Sequence, residues 1–488
     1  MKALILAGLG VVFLAGEAET ALLQVKGVVH VHTTASTGSR SLDEVVEAAR
    51  REGIGAVILS ENFVLRFEYG LFPFRGLVKK VVERPSVLGL GNGQWLRSVE
   101  AAQARFPDVI LIPGVEVIPH YYWTGSPLRG DLTLWDVQKN LLVVGLSSAE
   151  SHEQIPAIGN GSASGFGWAG VFKLSLAVGV IGCGLRLLTA RRAREIRLTR
   201  FTLKVPARYR LAGWSAIGLG VLLVLEAFAG SELNAYQGSL GIGPYQRVIE
   251  YAESRGGAVL WSFPEARDFE RIDMGRLGQV VVRTDPYPEA LLQSHGYTGF
   301  GALYGDHVTF TEPGRHWDRL LLEYAQGRRT RPAWGIGELG YHGPAKQLGD
   351  VLTIFLVRER SREGVLSALR AGRHYAVTPV PEYSLVLEDF SVGQDGRVRT
   401  PMGGELEAHG RGPVLVSLRI AASDGREVPF TLRLIRSGRV LSVLESRTPF
   451  QTVVQATPPA PGSREFFRID IKKPHRLLSN PIFVRRRA

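Results

Sequence analysis

VKGVVHVHTTASTGSRSLDEVVEAARREGIGAVILSEN, residues 25–62, holds the pattern from which the rest of the chain can be read. A short apolar run ends in two histidines one residue apart, His30 and His32. Alternate residues of a strand share a face, so the two imidazoles are expected side by side at a strand end, as half of a metal site. A pair of ordinary polar residues at a strand end is an equal alternative. Ser41 followed by Glu44 forms a capping box, and Leu42, Val45, Val46 and Ala49 line one helical face. Gly53 stops that helix, and AVILS at 56–60 is a buried strand, which completes a β-α-β unit.

The unit repeats outward from there. SVEAAQARFPD (98–108) is a helix before the strand VILIPGVEV (109–117), and NLLVVGL (140–146) is a further strand. Later, YQRVIEYAESRGG (245–257) precedes AVLWSFP, and HWDRLLLEYAQGRRT precedes PAWGIGELGYHG. Repeated β-α units imply a parallel barrel or a doubly wound sheet. Polar residues recur past the strand ends: His30 and His32, Glu61 and Asn62, Glu116 and His120, Glu338 and His342. In a barrel those ends share one face, and this convergence favours the barrel. SREGVLSALRAGRHYAVTP (361–379) supplies a last helix and strand. Beyond Pro379 short β-type runs separated by Gly, Pro and Asp predict a separate β-sandwich over 380–488.

Composition constrains the setting. One cysteine excludes an intrachain disulfide framework. The net charge of +12 suggests a nucleic-acid binder, but its distribution does not. Residues 191–210 hold eight Lys/Arg against Glu195, and Arg485–Arg487 add three more. No basic stripe interleaved with aromatics remains, so no nucleic-acid partner is expected. MKALILAGLGVVFLAG and the small residues after it read as a signal peptide or N-terminal anchor over 1–20. Two more apolar stretches, 168–188 and 211–230, each approach the ~20 residues that cross a bilayer as a helix. Buried helices of a soluble domain are the alternative. The basic loop 189–210 between them fits the positive-inside rule. The chain therefore reads as a first barrel part (25–160), a transmembrane hairpin (165–230) with a cytoplasmic loop, a second barrel part (240–379) and the sandwich. Both barrel parts and the sandwich lie on the extracytoplasmic side of a bacterial-type inner membrane.

Two histidines, a glutamate after another strand and later histidines make a donor set for Zn, Mn or Fe. Such ions activate water and stabilise anionic oxygens on phosphorus or carbon. No phosphate-binding glycine loop or G-x-S-x-G elbow competes; GLGNG (89–93) is a glycine-rich turn, and Cys183 lies in an apolar span.

At these residues the chain resembles the PHP (polymerase and histidinol phosphatase) domain family. HVHTTASTGS with the following helix and strand is similar to that family's opening, PGVEV (113–117) to its glutamate motif, and GELGYH (337–342) to its closing motif. SALRAGRHYAV and SNPIFV are similar to segments that follow the barrel in longer relatives. The resemblance covers about 25–380 in two pieces. It implies a distorted seven-stranded β/α barrel, a cluster of up to three metals and metal-dependent hydrolysis of phosphate esters. His-x-His alone also fits the amidohydrolase barrels, whereas the spacing to Glu116 and the C-terminal motifs favour PHP.

Carried over position by position, the resemblance places His30, His32, Glu116 and His342 at metal-ligand positions. His120 is a neighbouring candidate, as readily a packing residue. Glu61, Asn62, Asn140 and Glu338 are expected to hold the ligands in place or to substitute for missing ones. The departures are Asn62 where the family has histidine, Asn140 likewise, Phe263 in the His-Pro strand WSFPEA, and Gly340 in place of an aspartate. One or two divalent ions are then expected rather than three. Phe67, Tyr69, Tyr121, Tyr122, Trp123 and Trp135 read equally as a pocket rim or as packing between barrel and sandwich; His152, His295, His307 and His316 read as structural. The functional expectation is an exported, membrane-tethered, metal-dependent phosphoesterase acting on a small-molecule or envelope phosphoester. The alternatives are a catalytically degenerate PHP scaffold that binds at the cell envelope, and an enzyme acting on a C–N bond.

Overall fold

Strand β1 (Leu23–Val31) is rich in β-branched residues, and Val25, Val28, Val29 and Val31 are all buried. It opens a computed structural model that describes residues 22–487 other than 73, 164–167, 198–201, 230–232, 276–277, 306–307 and 395–398. The expected export segment at 1–20 and His307 lie outside the described residues. After β1 the helix Leu42–Arg51 begins with the expected capping box, in which Ser41 N donates to Glu44 Oε2 at 2.7 Å and Glu44 N to Ser41 Oγ at 3.3 Å. The helix returns the chain to β2 (Ala56–Leu59, continued by Glu61–Asn62), parallel to β1.

Six further elements of the same layer follow in order. They are β3 (Ile110–Ile112, continued by Gly114–Val117), β4 (Leu141–Val144), β5 (Ala258–Trp261), β6 (Gly299–Leu303) and β7 (Trp334–Gly337), then the short segment 339–341. β2 pairs with β3, β3 with β4, β4 with β5, β5 with β6 and β6 with β7. The segment after β7 returns to β1: Leu339 N donates to Val29 O at 3.0 Å, Tyr341 N to His30 O at 2.9 Å and His32 N to Tyr341 O at 2.9 Å. The seven strands thereby close into a distorted barrel, as the repeated β-α units imply.

The barrel is not wholly parallel. β4 runs antiparallel to both neighbours. The chain between β3 and β4 carries two short strands, Tyr122–Thr124 and Thr133–Trp135, with a single 3-10 turn, Pro127–Arg129, between them, and no crossover helix. Without a crossover the chain must come back antiparallel. Asn140, just before β4, consequently sits at the same barrel end as the C-terminal ends of the other strands.

The region 168–229 holds two long helices, Trp168–Thr189 and Arg210–Ala229, joined by a two-stranded ribbon, Arg191–Arg197 with Thr202–Arg208, where the sequence reading has only a basic loop. Each is long and apolar enough to cross a membrane, and little of either is buried within the protein. The helices are antiparallel and glycines bring their backbones together: a Cβ on Gly184 would lie 2.8 Å from Gly213 O, and one on Gly220 3.1 Å from Ala177 O.

The C-terminal region is strand-rich but not separate. After β7, a strand absent from the sequence reading, β8 (Leu352–Val357), pairs antiparallel with the first half of β1, and β9 (His374–Val377) pairs with β8. β10 (Leu385–Gly393), β11 (Val414–Ala422) and, beyond β12 (Pro429–Arg436), β13 (Phe450–Ala456) build one sheet. β12, β14 (Arg464–Lys473), β15 (Leu477–Ser479) and β16 (Ile482–Arg486) build the other. β15 pairs with β9, so this second sheet continues through β9 and β8 into the barrel. A buried ion pair fastens it: Arg468 Nε and Nη2 donate to Asp318 Oδ1 and Oδ2 at 2.7 and 2.8 Å, and Nη2 donates to Thr311 O at 3.0 Å. Asp318 belongs to the barrel helix His316–Ala325, and both partners are fully buried. The C-terminal strands expected as a separate sandwich thus share a sheet ladder and a hydrophobic core with the barrel.

Two measurements check this. Asp318→Ala strands the Arg468 charge and is expected to cost about 3–5 kcal/mol, lowering one unfolding transition of the whole protein rather than a C-terminal transition alone. Burial lowers the His374 pKa to about 4. The unfolded chain then binds the extra proton between the ordinary histidine value and that one, so stability falls as pH drops through this window, by up to about 3 kcal/mol. His374→Leu is expected to flatten that acid limb in denaturant titrations.

Candidate metal centre

The site forms where β1 meets the chain after β7. His30 adopts a left-handed backbone, φ 72°, and the register of β1 against β2 slips between Val29 and Val31. The simple alternation expected of His30 and His32 is therefore replaced by a bulge. The bulge still turns both rings inward: His30 Nε2 and His32 Nε2 lie 3.0 Å apart, and both residues are buried. Glu116, at the end of β3, faces them, with Oε1 3.4 Å from His30 Nε2 and Oε2 3.6 Å from His32 Nε2. Among the described residues, these three are the group whose donor atoms all fall within 4.8 Å of one another.

The surrounding residues orient this trio. Asn62 Nδ2 donates to Glu116 Oε2 at 2.7 Å, and Asn140 Nδ2 donates to Glu116 Oε1 at 2.6 Å. Each carboxylate oxygen is thus fixed by one amide and faces one imidazole. Asn62 Oδ1 in turn accepts from Thr37 Oγ1 at 2.7 Å. Asn140 Oδ1 is buried with no hydrogen-bond partner among the described residues. Glu338 Oε1 accepts from His30 Nδ1 at 2.7 Å and from Ser262 Oγ at 2.6 Å, while Phe263 N donates to Oε2 at 3.0 Å. Glu61 is fully buried and accepts from Thr33 N at 3.0 Å and from the Thr33 and Ser36 hydroxyls. It braces the loop after His32 and faces no histidine. His342 is exposed and stacks on His32 with ring centroids 4.1 Å apart.

His120, offered as a ligand or as a packing residue, is not among the grouped donors. Its Nε2 lies 3.4 Å from Asn234 O and its ring stacks on Tyr122, away from the trio. The backbone past Val117 has left the strand, so proximity in sequence to Glu116 does not become proximity in space. The aromatic set expected as a pocket rim or as packing falls mostly in one apolar cluster. Tyr121, Trp123, Phe67 and Tyr69 belong to a third apolar cluster beside the strands Arg66–Gly70 and Tyr122–Thr124, and Tyr122 stacks on Trp135.

The electrostatics follow from burial. Desolvation opposes a charge on His30, but Glu116 and Glu338 prevail and push its pKa up to about 9. Desolvation likewise opposes the Glu116 carboxylate, yet His30, His32 and Asn140 bring it down to about 2. Burial, followed by the His30 and His342 charges, holds His32 well below the ordinary histidine value despite the opposing pull of Glu116. Burial raises Glu61. The 3.0 Å contact between the two Nε2 atoms needs one proton between them, and a cation can take that proton's place. With Nδ1 2.7 Å from the Glu338 carboxylate, neutral His30 places its proton there and turns Nε2 toward the trio, a common arrangement for metal-binding histidines. The donor set of two imidazoles and a carboxylate fits a divalent transition-type ion.

Phe263 and Gly340 lie against each other. The Phe263 ring stacks on His30 at 5.2 Å, and a Cβ on Gly340 would meet Phe263 Cζ at 2.8 Å. Gly340 also has φ +61°. The ring therefore occupies the space that a side chain at 340 needs. A second glycine, Gly301 in β6, serves Glu338: a Cβ there would come within 1.9 Å of Glu338 Oε2. The residues missing from the sequence reading are Thr33, Ser36, Thr37, Ser262 and Gly301. Only the last has a sequence signal, a glycine inside a strand, which marks close approach.

No family model matches the chain, and no curated protein matches it. Among solved structures, it aligns with a two-domain Bacteroides vulgatus protein described as containing a PHP-like metal-dependent phosphoesterase, at 13% identity, over 92% of this chain and 90% of that one, TM-score 0.35. It also aligns with a Bifidobacterium adolescentis protein provisionally assigned as a metal-dependent phosphoesterase, at 13% identity over 66% and 88% of the two chains, TM-score 0.27. A Chromobacterium violaceum amidohydrolase with bound sulfate and no metal aligns at 13% identity over 66% and 89%, TM-score 0.27.

If Phe263 and Gly340 are coupled as their contact implies, Gly340→Asp alone is expected to cost about 1–3 kcal/mol by overpacking. Phe263→His combined with Gly340→Asp should recover most of that loss in thermal denaturation. Losses in the double variant equal to the sum of those of the two single variants would show that the two positions are independent.

Proposed function

We propose that the chain is a PHP-like, metal-dependent phosphoesterase tethered to a membrane. The observation that carries this reading is the buried trio His30, His32 and Glu116, with donor atoms within 4.8 Å, at one end of a closed seven-stranded barrel. In this reading His30, His32 and Glu116 hold a Mn, Zn or Fe ion, and His342 borders it. A bound divalent ion supplies Lewis acidity toward phosphoryl oxygens and acidifies water. Asn62 and Asn140 hold the Glu116 carboxylate in place through their amides, and Glu338 fixes His30 through Nδ1. Glu61 keeps the Thr33–Ser36 loop closed over the strand end. Phe263 fills the space beside His30, which favours one ion, or two, over a larger cluster.

The membrane tether is supported by the two apolar helices, whose residues Phe172, Leu211 and Trp214 are left uncovered by the rest of the protein. Export, with the basic ribbon on the cytoplasmic side, follows from the positive-inside pattern. A phosphoester small molecule or envelope component is the proposed substrate.

A second reading keeps the barrel and drops the chemistry. The Phe263–Gly340 contact and the amide of Asn62 facing Glu116 favour a degenerate scaffold that binds at the envelope.

Elemental analysis of the detergent-purified full chain decides between them. Bound Mn, Fe or Zn that disappears in His30→Ala/His32→Ala, together with phosphate release from a phosphoester panel, is expected. Glu338→Gln should weaken the metal by about 10–100-fold while the fold persists. Absence of metal after reconstitution would leave the scaffold reading.

A further inference from the structure

The ribbon that follows β2 carries an apolar tip. Its strands, Arg66–Gly70 and Lys79–Glu83, lead out from the same barrel end as the His30–His32–Glu116 trio, since the ribbon begins just beyond Asn62. At the tip Leu71, Phe72, Leu77 and Val78 are exposed, Phe72 at 82%. Such a run in solvent loses several apolar side chains' worth of burial. Lys79 and Lys80 stand at its base, and Arg75 lies over the Tyr236 ring at 4.1 Å.

The tip is joined to the helix pair. Gly76 N donates to both carboxylate oxygens of Glu226, at 3.0 and 2.8 Å, and Lys173 Nζ lies 3.4 Å from Glu226 Oε1. Glu226 is in the last turn of the second apolar helix, and Lys173 is near the start of the first. The tip therefore sits at the level where both helices leave their apolar spans. A second loop meets it there. Lys80 Nζ donates to Met274 O at 2.7 Å, which brings the turn between Asp268–Asp273 and Gln279–Thr284 alongside. The parallel register Val281↔Thr133 places that turn at the same sheet end as the 125–132 loop, where Leu128 is 99% exposed.

We propose that these tips, Leu71, Phe72, Leu77 and Val78 with Leu128, lie in the interfacial layer of the lipid bilayer crossed by the helix pair. The inference rests on the membrane reading above and adds to it a second, non-helical contact. Apolar side chains enter the acyl boundary while the exposed Lys80 faces the headgroup layer; Lys79 is paired with Glu68 at 2.8 Å. The contact holds the site end of the barrel toward the membrane surface.

The test uses the full chain with its only cysteine replaced, Cys183→Ser, and single labels at Phe72→Cys, Leu128→Cys, Leu222→Cys in the second helix and Val443→Cys on the C-terminal sheet. Each carries an environment-sensitive fluorophore in phosphatidylcholine–phosphatidylglycerol vesicles containing lipids spin-labelled at shallow or deep positions. The expected result is deep quenching at 222, none at 443, and shallow quenching at 72 and 128, about 5–10 Å below the headgroup boundary. Quenching at 222 with aqueous behaviour at 72 and 128 overturns the inference and leaves the tether standing. Aqueous behaviour at 222 overturns the tether, and the inference with it.

Discussion

Three backbone hydrogen bonds between the chain after β7 and the end of β1 close the barrel, and the centre is organised around them. Leu339 and Tyr341 donate to Val29 and His30, and His32 donates back to Tyr341. This seam runs across the bulge at which His30 holds φ 72°. A left-handed non-glycine residue persists only where its surroundings over-determine it, and here both flanking strands do. The same seam brings Glu338 under His30 Nδ1 and lays His342 over His32. Closure and site assembly are therefore one event: the strand end that completes the barrel also delivers the partners of its histidines.

What the seam encloses is a dense set of buried ionisable groups. Glu61, Glu116 and Glu338 are all removed from solvent, yet each is treated differently. Glu61 is met by hydroxyls and a backbone amide, Glu338 by a hydroxyl, a backbone amide and one imidazole, and Glu116 by two carboxamides and two imidazoles. Neutral donors satisfy lone pairs without cancelling charge, so the positive charge wanted by this cluster falls on His30, while burial keeps His32 neutral. Asn62 and Asn140 keep the Glu116 carboxylate oriented, and Phe263 seals the flank that Gly340 leaves open.

Integration of the outer parts follows similar economy. The C-terminal sheets extend the barrel's own ladder through β8 and β9, and Arg468 reaches back to Asp318. On the other side the long helices leave from the segment between β4 and β5, and Glu226 ties their end to the ribbon after β2. The excursions from the site end of the barrel thus supply the contact with the helix pair, and the opposite flank of β1 supplies the contact with the C-terminal sheets.

Much of this was legible in the chain itself. The capping box at Ser41 and Glu44, the buried run AVILS, and the recurrence of helix and strand are local, and local patterns survive folding because propensity and side-chain period act within a few residues. The two long apolar helices were visible for the same reason, as was the grouping of His30, His32 and Glu116 at strand ends. Tertiary structure alone decided the rest. The reversal of β4, which brings Asn140 to Glu116, depends on a connection lacking a crossover helix. The bulge at His30 depends on pairing with a segment some three hundred residues away. His120 hydrogen-bonds to Asn234 O because the chain has left its strand after Val117, and Phe263 is linked to Gly340 because the two chain segments meet in one small volume. The joining of the C-terminal sheets to the barrel rests on ladder hydrogen bonds between strands distant in sequence. Residue type and spacing settled which chemistry the chain carries; long-range pairing settled which atoms meet, since neither register nor closure is encoded in any short stretch.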